Sequence, residues 1–149
     1  MTKKKGRVPL KCGKYRLCCM LHIILPVVAG TLIYIFFRPD TYISGCFSKA
    51  FGVTGPDMSE AVPDWVALIC RNFLSDMLWA YALTVTVVLI MDDGGKYSVW
   101  ICLIFELSME LCQKAGILSG TFDWLDIILE ICASALAALI IKQTKERMQ

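Results

Sequence analysis

Apolar residues fall in four long runs separated by polar punctuation. The first, Leu17 to Phe37, contains no charged residue, and a spanning helix needs about 20 mostly apolar residues. Pro26 removes one backbone donor within it and predicts a local kink. Tyr34, Phe36, Phe37 and Arg38 follow at its far end, where amphipathic rings and cations settle at a membrane interface. Its lone His22 reads as a packed or interfacial side chain rather than a ligand. Residues 38–63, with Gly45, Gly52, Gly55 and Pro56, read as a polar external loop.

Pro63-Asp64 opens a helical pattern that continues to Met91, about 42 Å at helical rise against a hydrocarbon core of ~30 Å. Its first turns are therefore expected at the interface, with the second span proper over about 71–91. Asp92-Asp93-Gly94-Gly95 signals a turn. The third span covers about 97–115 and is the least hydrophobic; Gly116, Gly120 and Thr121 make the next turn. The fourth covers about 123–141 and stops at Lys142, Lys145 and Arg147. The expected fold is an all-α membrane protein: one domain over 1–149, a bundle of four transmembrane helices with an interfacial helical segment before the second span.

Composition agrees. The chain is 57% hydrophobic and 19% charged, with mean hydropathy +0.62, whereas soluble domains sit nearer a quarter charged. Net charge is only +2, but its placement is uneven, since Lys3, Lys4, Lys5, Arg7, Lys11, Lys14 and Arg16 all precede the first apolar run. No basic face continues elsewhere, which argues against nucleic acid as a partner. The following run is too long for a signal-peptide core and lacks a small-residue cleavage site. Residues 1–16 therefore read as a basic cytoplasmic head. With four spans, eleven of the 15 Lys/Arg fall on the side of the two termini, leaving Arg38, Lys49, Arg71 and Lys114 opposite. The positive-inside rule then places both termini in the cytoplasm, with the lipid bilayer as the immediate partner.

Eight cysteines suggest redox or metal chemistry until they are placed. Cys18, Cys19, Cys102, Cys112 and Cys132 lie inside apolar runs, where Cys behaves as a small hydrophobe. No Cys-x-x-Cys pair occurs, so no zinc site is implied, and no cofactor is expected. Cys46 and Cys70 flank the external loop and form the one pair for which a disulfide is conceivable.

The chemistry is carried by acids inside the spans. A charge at the centre of a membrane helix costs about 2.5–3.5 kcal/mol on insertion scales. Glu106, Glu110 and Gln113 nonetheless share one face of the third span by their spacing of four and three. Asp123, Asp126 and Glu130 do the same on the fourth, and Asn72 and Asp76 on the second, with Arg71 adjacent. Asp123 has a ready explanation as a helix cap, and Asp126 as a first-turn acid favoured by the dipole. Glu106, Glu110 and Glu130 lie too deep for that. Six carboxylates against Arg71 cannot all be ionised in a low-dielectric site. Hydrogen-bonded glue between membrane helices is worth only ~0.6–2 kcal/mol and is met as well by Ser, Thr or Asn. A polar cleft is the stronger reading. The small residues from Ala133 to Ala138 read as a packing surface.

Glu110-x-x-Gln113, a Gly-containing turn and Asp123-x-x-Asp126-x-x-x-Glu130 resemble the VanZ-like membrane proteins. Their pattern is Glu-x-x-Gln, a turn, Arg-x-x-Asp-x-x-Asp and an Asn four residues on. The resemblance covers roughly the last 45 residues and carries Glu110, Gln113, Asp123 and Asp126 onto the family's polar positions. Gly120 stands where the family has Arg, and Glu130 where it has Asn, which makes this cleft more acidic. The resemblance implies a bacterial plasma-membrane protein, related to the cell envelope or to glycopeptide resistance, with no agreed enzymatic activity.

Three functions follow as expectations. The first is a cleft near the outer leaflet that engages a lipid, a cationic ligand or an envelope partner. The second is an intramembrane enzyme on a lipid-linked substrate, using carboxylates to hold a divalent ion. The third is a proton or cation path.

Overall fold

The computed structural model describes residues 12–38, 42–52, 57–91, 97–117 and 122–148. The basic head up to Lys11, Gly55 and Pro56, the Asp92–Gly95 turn with Lys96, and Gly120 with Thr121 lie outside the described residues.

Every regular element among the described residues is helical: α1 (Cys12–Phe37), α2 (Tyr42–Phe51), α3 (Asp64–Ile69), α4 (Ser75–Met91), α5 (Ser98–Lys114) and α6 (Trp124–Met148). A short 3₁₀ turn covers Ser59–Ala61, and a π-helical turn, Cys70–Leu74, joins α3 to α4. The result is one helical rod over Asp64–Met91. Three helical stretches are long and apolar enough to cross a membrane: Gly13–Phe37, Asp64–Met91 and Trp124–Met148. α5, at 17 residues, is shorter.

Pro63 starts the second rod as the sequence predicts; its carbonyl accepts from the amides of Val66 and Ala67 at 2.8 and 3.1 Å. The 38–63 connection departs from the expectation of a plain polar loop. It folds α2, which ends on Gly52 at φ +67°, a left-handed conformation that glycine adopts without strain. The amide of Met58 then returns to the carbonyl of Phe36 at 2.9 Å, tying the connection to the end of α1. α6 also exceeds its expected end at residue 141 and runs to Met148. Once Asp123 has capped it, nothing in Lys142–Met148 breaks a helix.

α5 ends in a complete Schellman turn. Gly116 takes φ +71°, its amide bonds to the Gln113 carbonyl at 2.9 Å, and that of Ile117 bonds to the Cys112 carbonyl at 2.9 Å.

α4 is the centre, packing against α1 on one side and against α5 and α6 on the other. Tyr15, Cys19, Val85, Val88, Ala137 and Ile141 form an apolar core at the end where α1 begins and α6 finishes. That pairing sets α4 and α6 parallel and α1 against them. Toward the opposite end Tyr34 stacks on Trp79 at 5.4 Å, and Gly30 lets the Trp79 ring lie directly on the backbone of α1. His22 is packed as expected, its Nδ1 sharing a hydrogen bond of 2.8 Å with the Tyr81 hydroxyl.

The outward surface is apolar. Leu17, Leu25, Trp65, Trp100, Ile104, Trp124 and Leu139 are all exposed. On α5 the buried positions are Ser98, Cys102, Glu106 and Glu110, a single stripe at four-residue steps. This helix turns its polar edge inward and its rings outward, the reverse of a soluble amphipathic helix.

Candidate functional site

The α5 stripe meets α4 and α6 in a polar seam. Halfway along, Thr84 on α4 donates to the Ser134 hydroxyl on α6 at 2.9 Å, and Ser134 donates to Glu106 Oε1 on α5 at 2.9 Å. Thr84 and Ser134 are fully buried and Glu106 is 7% exposed. The close approach rests on Ala133, Ser134 and Ala137, buried small residues on one face of α6, as the run from Ala133 to Ala138 predicts.

From this crossing the acids climb toward the end that bears Arg38. Glu110 on α5 and Glu130 on α6 are each four residues, about 6 Å, farther along, and Asp126 is one turn beyond Glu130. Asp76 on α4 starts eight residues before Thr84, about 12 Å away in the same direction. Glu130 feels the charges of Glu106, Glu110, Asp76 and Asp126, and Asp126 those of Glu110, Asp76 and Asp123. Asp76, Glu106, Glu110, Asp126 and Glu130 thus lie on the same three helices that the expected polar cleft joins.

Four of their oxygens stand out. Glu106 Oε2, Glu110 Oε2, Asp126 Oδ1 and Glu130 Oε2 are buried without a hydrogen-bond partner. Buried polar atoms are normally satisfied, and an orphaned one costs roughly 1–3 kcal/mol. Glu106 and Glu110 are more than nine-tenths buried, at 7% and 4% exposure. Glu110 receives a hydrogen bond from the backbone of Asp123, while its Oε2 has none.

Not every predicted site residue joins. Asp123 is exposed and caps α6, its Oδ1 accepting the Leu125 amide at 2.9 Å. Arg71 is exposed, and its field acts on Asp57 in the connection instead of on the buried acids. Arg71 lies five residues before Asp76, a spacing that does not share a face on a helix. Asn72 and Gln113 are half-buried.

The cation beside the seam is Arg38, which the sequence placed merely at an interface. Its guanidinium lies 5.0 Å from the Tyr34 ring centre and donates to the Tyr34 hydroxyl at 3.2 Å, while its carbonyl accepts from Ser44 at 2.9 Å. Held at this corner, it acts on the charges of both Asp76 and Asp126. The available signal was the four-residue step from Tyr34 to Arg38.

Among the described residues, no three His, Cys, Asp or Glu side chains converge closely enough to hold a metal ion. The carboxyls are strung along the helices rather than gathered round a point. Cys46, exposed on α2, and half-buried Cys70 are both free thiols.

Fold and seam together define the class: an all-helical chain with membrane-length apolar helices and a buried acidic seam. The chain matches no protein-family profile, no curated protein and no solved structure.

Proposed function

We propose that the chain is a four-span membrane protein whose acidic seam binds an ammonium group entering at the Arg38 end. The carrying observation is the set of four buried carboxyl oxygens without donors. An ammonium brings three donors, one full charge and no acceptor that would need satisfying in turn. A mono-amine or an amine-bearing lipid head group presents that chemistry.

The fourth span is α5. Its 17 residues reach about 26 Å, close to the ~30 Å core, and Trp100, Ile104, Phe105 and Leu111 face outward from it. The excess of Lys and Arg at both chain ends puts the termini in the cytoplasm and the seam's mouth in the outer leaflet. The turns of Asp64–Leu74 before Asp76, with Trp65 exposed, lie at that interface. Kinship with VanZ-like proteins, resting on Glu110, Gln113, Asp123 and Asp126, would make the membrane a bacterial one and the ligand part of the cell envelope.

Full-length protein in detergent micelles should be stabilised against heat by n-butylamine and not by neutral n-butanol. In nanodiscs, ethanolamine-headgroup lipid should stabilise it more than choline-headgroup lipid if the lipid is the source. Glu110→Gln with Asp126→Asn should abolish whichever effect is found. Stabilisation in neither arm, or an effect that survives the double substitution, overturns the reading.

A further inference from the structure

At the end opposite Arg38, α1 and α6 both continue past their apolar stretches. On α1 the helical residues from Cys12 to Arg16 precede Leu17, and on α6 the helix runs from Ile141 on to Met148. These extensions are packed. Tyr15 and Cys19 of α1 share one apolar cluster with Ala137 and Ile141 of α6, and Met148 packs against it. Lys145 lies between Ile141 and Met148 at steps of four and three, which puts it on that packed face. A charge that only sets orientation needs no fixed position. Here the cations stand on helix ends held together by a shared core.

Lys14, Arg16, Lys142 and Arg147 are exposed, and Glu146 is the one acid among the described residues of this end; the Asp92–Asp93 turn lies outside them. Each helix also carries an exposed leucine on the face of a cation. Leu17 lies three residues after Lys14 on α1, and Leu139 three residues before Lys142 on α6. The two helices run in opposite directions, so both leucines lie on the hydrocarbon side of their cations. They are 64% and 57% exposed. A cation one turn outside an exposed alkyl side chain matches a phospholipid, with its phosphate above and its acyl chain below.

We infer that the packed ends of α1 and α6 bind anionic phospholipids of the leaflet on the side of the chain termini. The cations engage the phosphates, and Leu17 and Leu139 lie along the acyl chains. Helical rise sets Lys142 about 1.5 Å and Arg147 about 9 Å beyond Ile141, which spans the head-group layer. The extensions therefore hold their cations at phosphate depth, where attraction to an anionic surface acts within a Debye length. A soluble anion or a nucleic acid would leave the leucines without a role. The site stands apart from the acidic seam, and neither depends on the other.

Thermal unfolding of the full-length protein in neutral detergent micelles, titrated with phosphatidylglycerol or phosphatidylcholine, tests the site. The anionic lipid should stabilise at lower concentration than the zwitterionic one, and rising salt should weaken its effect. Lys14→Gln with Lys142→Gln, made together with Thr2→Lys and Gly6→Lys, keeps the net charge and moves two cations from the packed helix ends into the basic head. Half-maximal stabilisation by phosphatidylglycerol should then need about 25-fold more lipid, about fivefold per cation. Glycerol phosphate, which carries the phosphate without the chains, should not compete. Equal response to the two lipids, an unchanged midpoint in the relocated variant, or competition by glycerol phosphate overturns the site. If the variant does not insert, the wild-type comparisons between lipids, across salt and against glycerol phosphate still decide.

Discussion

Ser134 of α6 donates its hydroxyl to Glu106 of α5 at 2.9 Å while accepting the hydroxyl of Thr84 from α4. One small side chain thus ties three helices together. Ser134→Ala would leave the Thr84 hydroxyl without its acceptor and Glu106 Oε1 without its donor, a loss of about 1–3 kcal/mol. Thermal unfolding in detergent should show it. Adding Thr84→Val to Ser134→Ala should cost less than the sum of the two single changes, because they share one chain; simple additivity would mean that the chain is not a unit.

The contact between α1 and α4 depends on the absence of a side chain at residue 30. A Cβ there would sit 2.7 Å from Trp79 Nε1, 2.8 Å from its Cδ1 and 3.3 Å from the Ser75 carbonyl. Gly30→Ala should force the indole aside, at about 1–3 kcal/mol of overpacking cost, and shift Trp79 fluorescence. In a Trp79→Leu background the same substitution should cost distinctly less. Equal costs in both backgrounds would refute the contact.

Asp57 lies outside the membrane-length helices. Ser59, whose amide donates to Asp57 Oδ1 at 2.9 Å, holds its carboxyl below the ordinary value, with Arg71 adding to the effect. A carboxyl lowered on folding stabilises the fold above its unfolded value of 3.8 and loses that contribution as pH falls through the folded one. Amide exchange at Ser59 should therefore accelerate in that acid range. Asp57→Asn should remove the acid-dependent step, and an unchanged step would assign it to another group.

Accessibility of the cysteines checks the orientation. Cys46 is exposed on α2, whereas Cys19 and Cys102 are buried. With the termini in the cytoplasm, an impermeant maleimide added to intact cells should modify Cys46, and Cys46→Ser should abolish that labelling. Labelling of Cys46 only after lysis would invert the topology.

Much of the fold was legible because membrane helices write themselves as uncharged runs. The end of the first apolar helix at Phe37, the Pro63-Asp64 start, the Gly116 stop and the Asp123 cap all follow from local rules, and each is found where the sequence put it, although α1 begins at Cys12, ahead of the expected Leu17. α2 was not legible: ten residues with Gly45 and Ser44 inside carry little helical propensity, and the helix stands by packing on α1.

The acids show the same division. Four-residue spacing on α5 and α6 put Glu106 with Glu110 and Asp126 with Glu130, because helical period is local information. Which cation accompanies them was not, since Arg71 is exposed and the end of α1 brings in Arg38. By itself the sequence determined that these acids lie in apolar helices. Tertiary structure decided which of their oxygens lack a donor and which hydroxyls reach Glu106, because those properties depend on neighbours from three helices meeting at once.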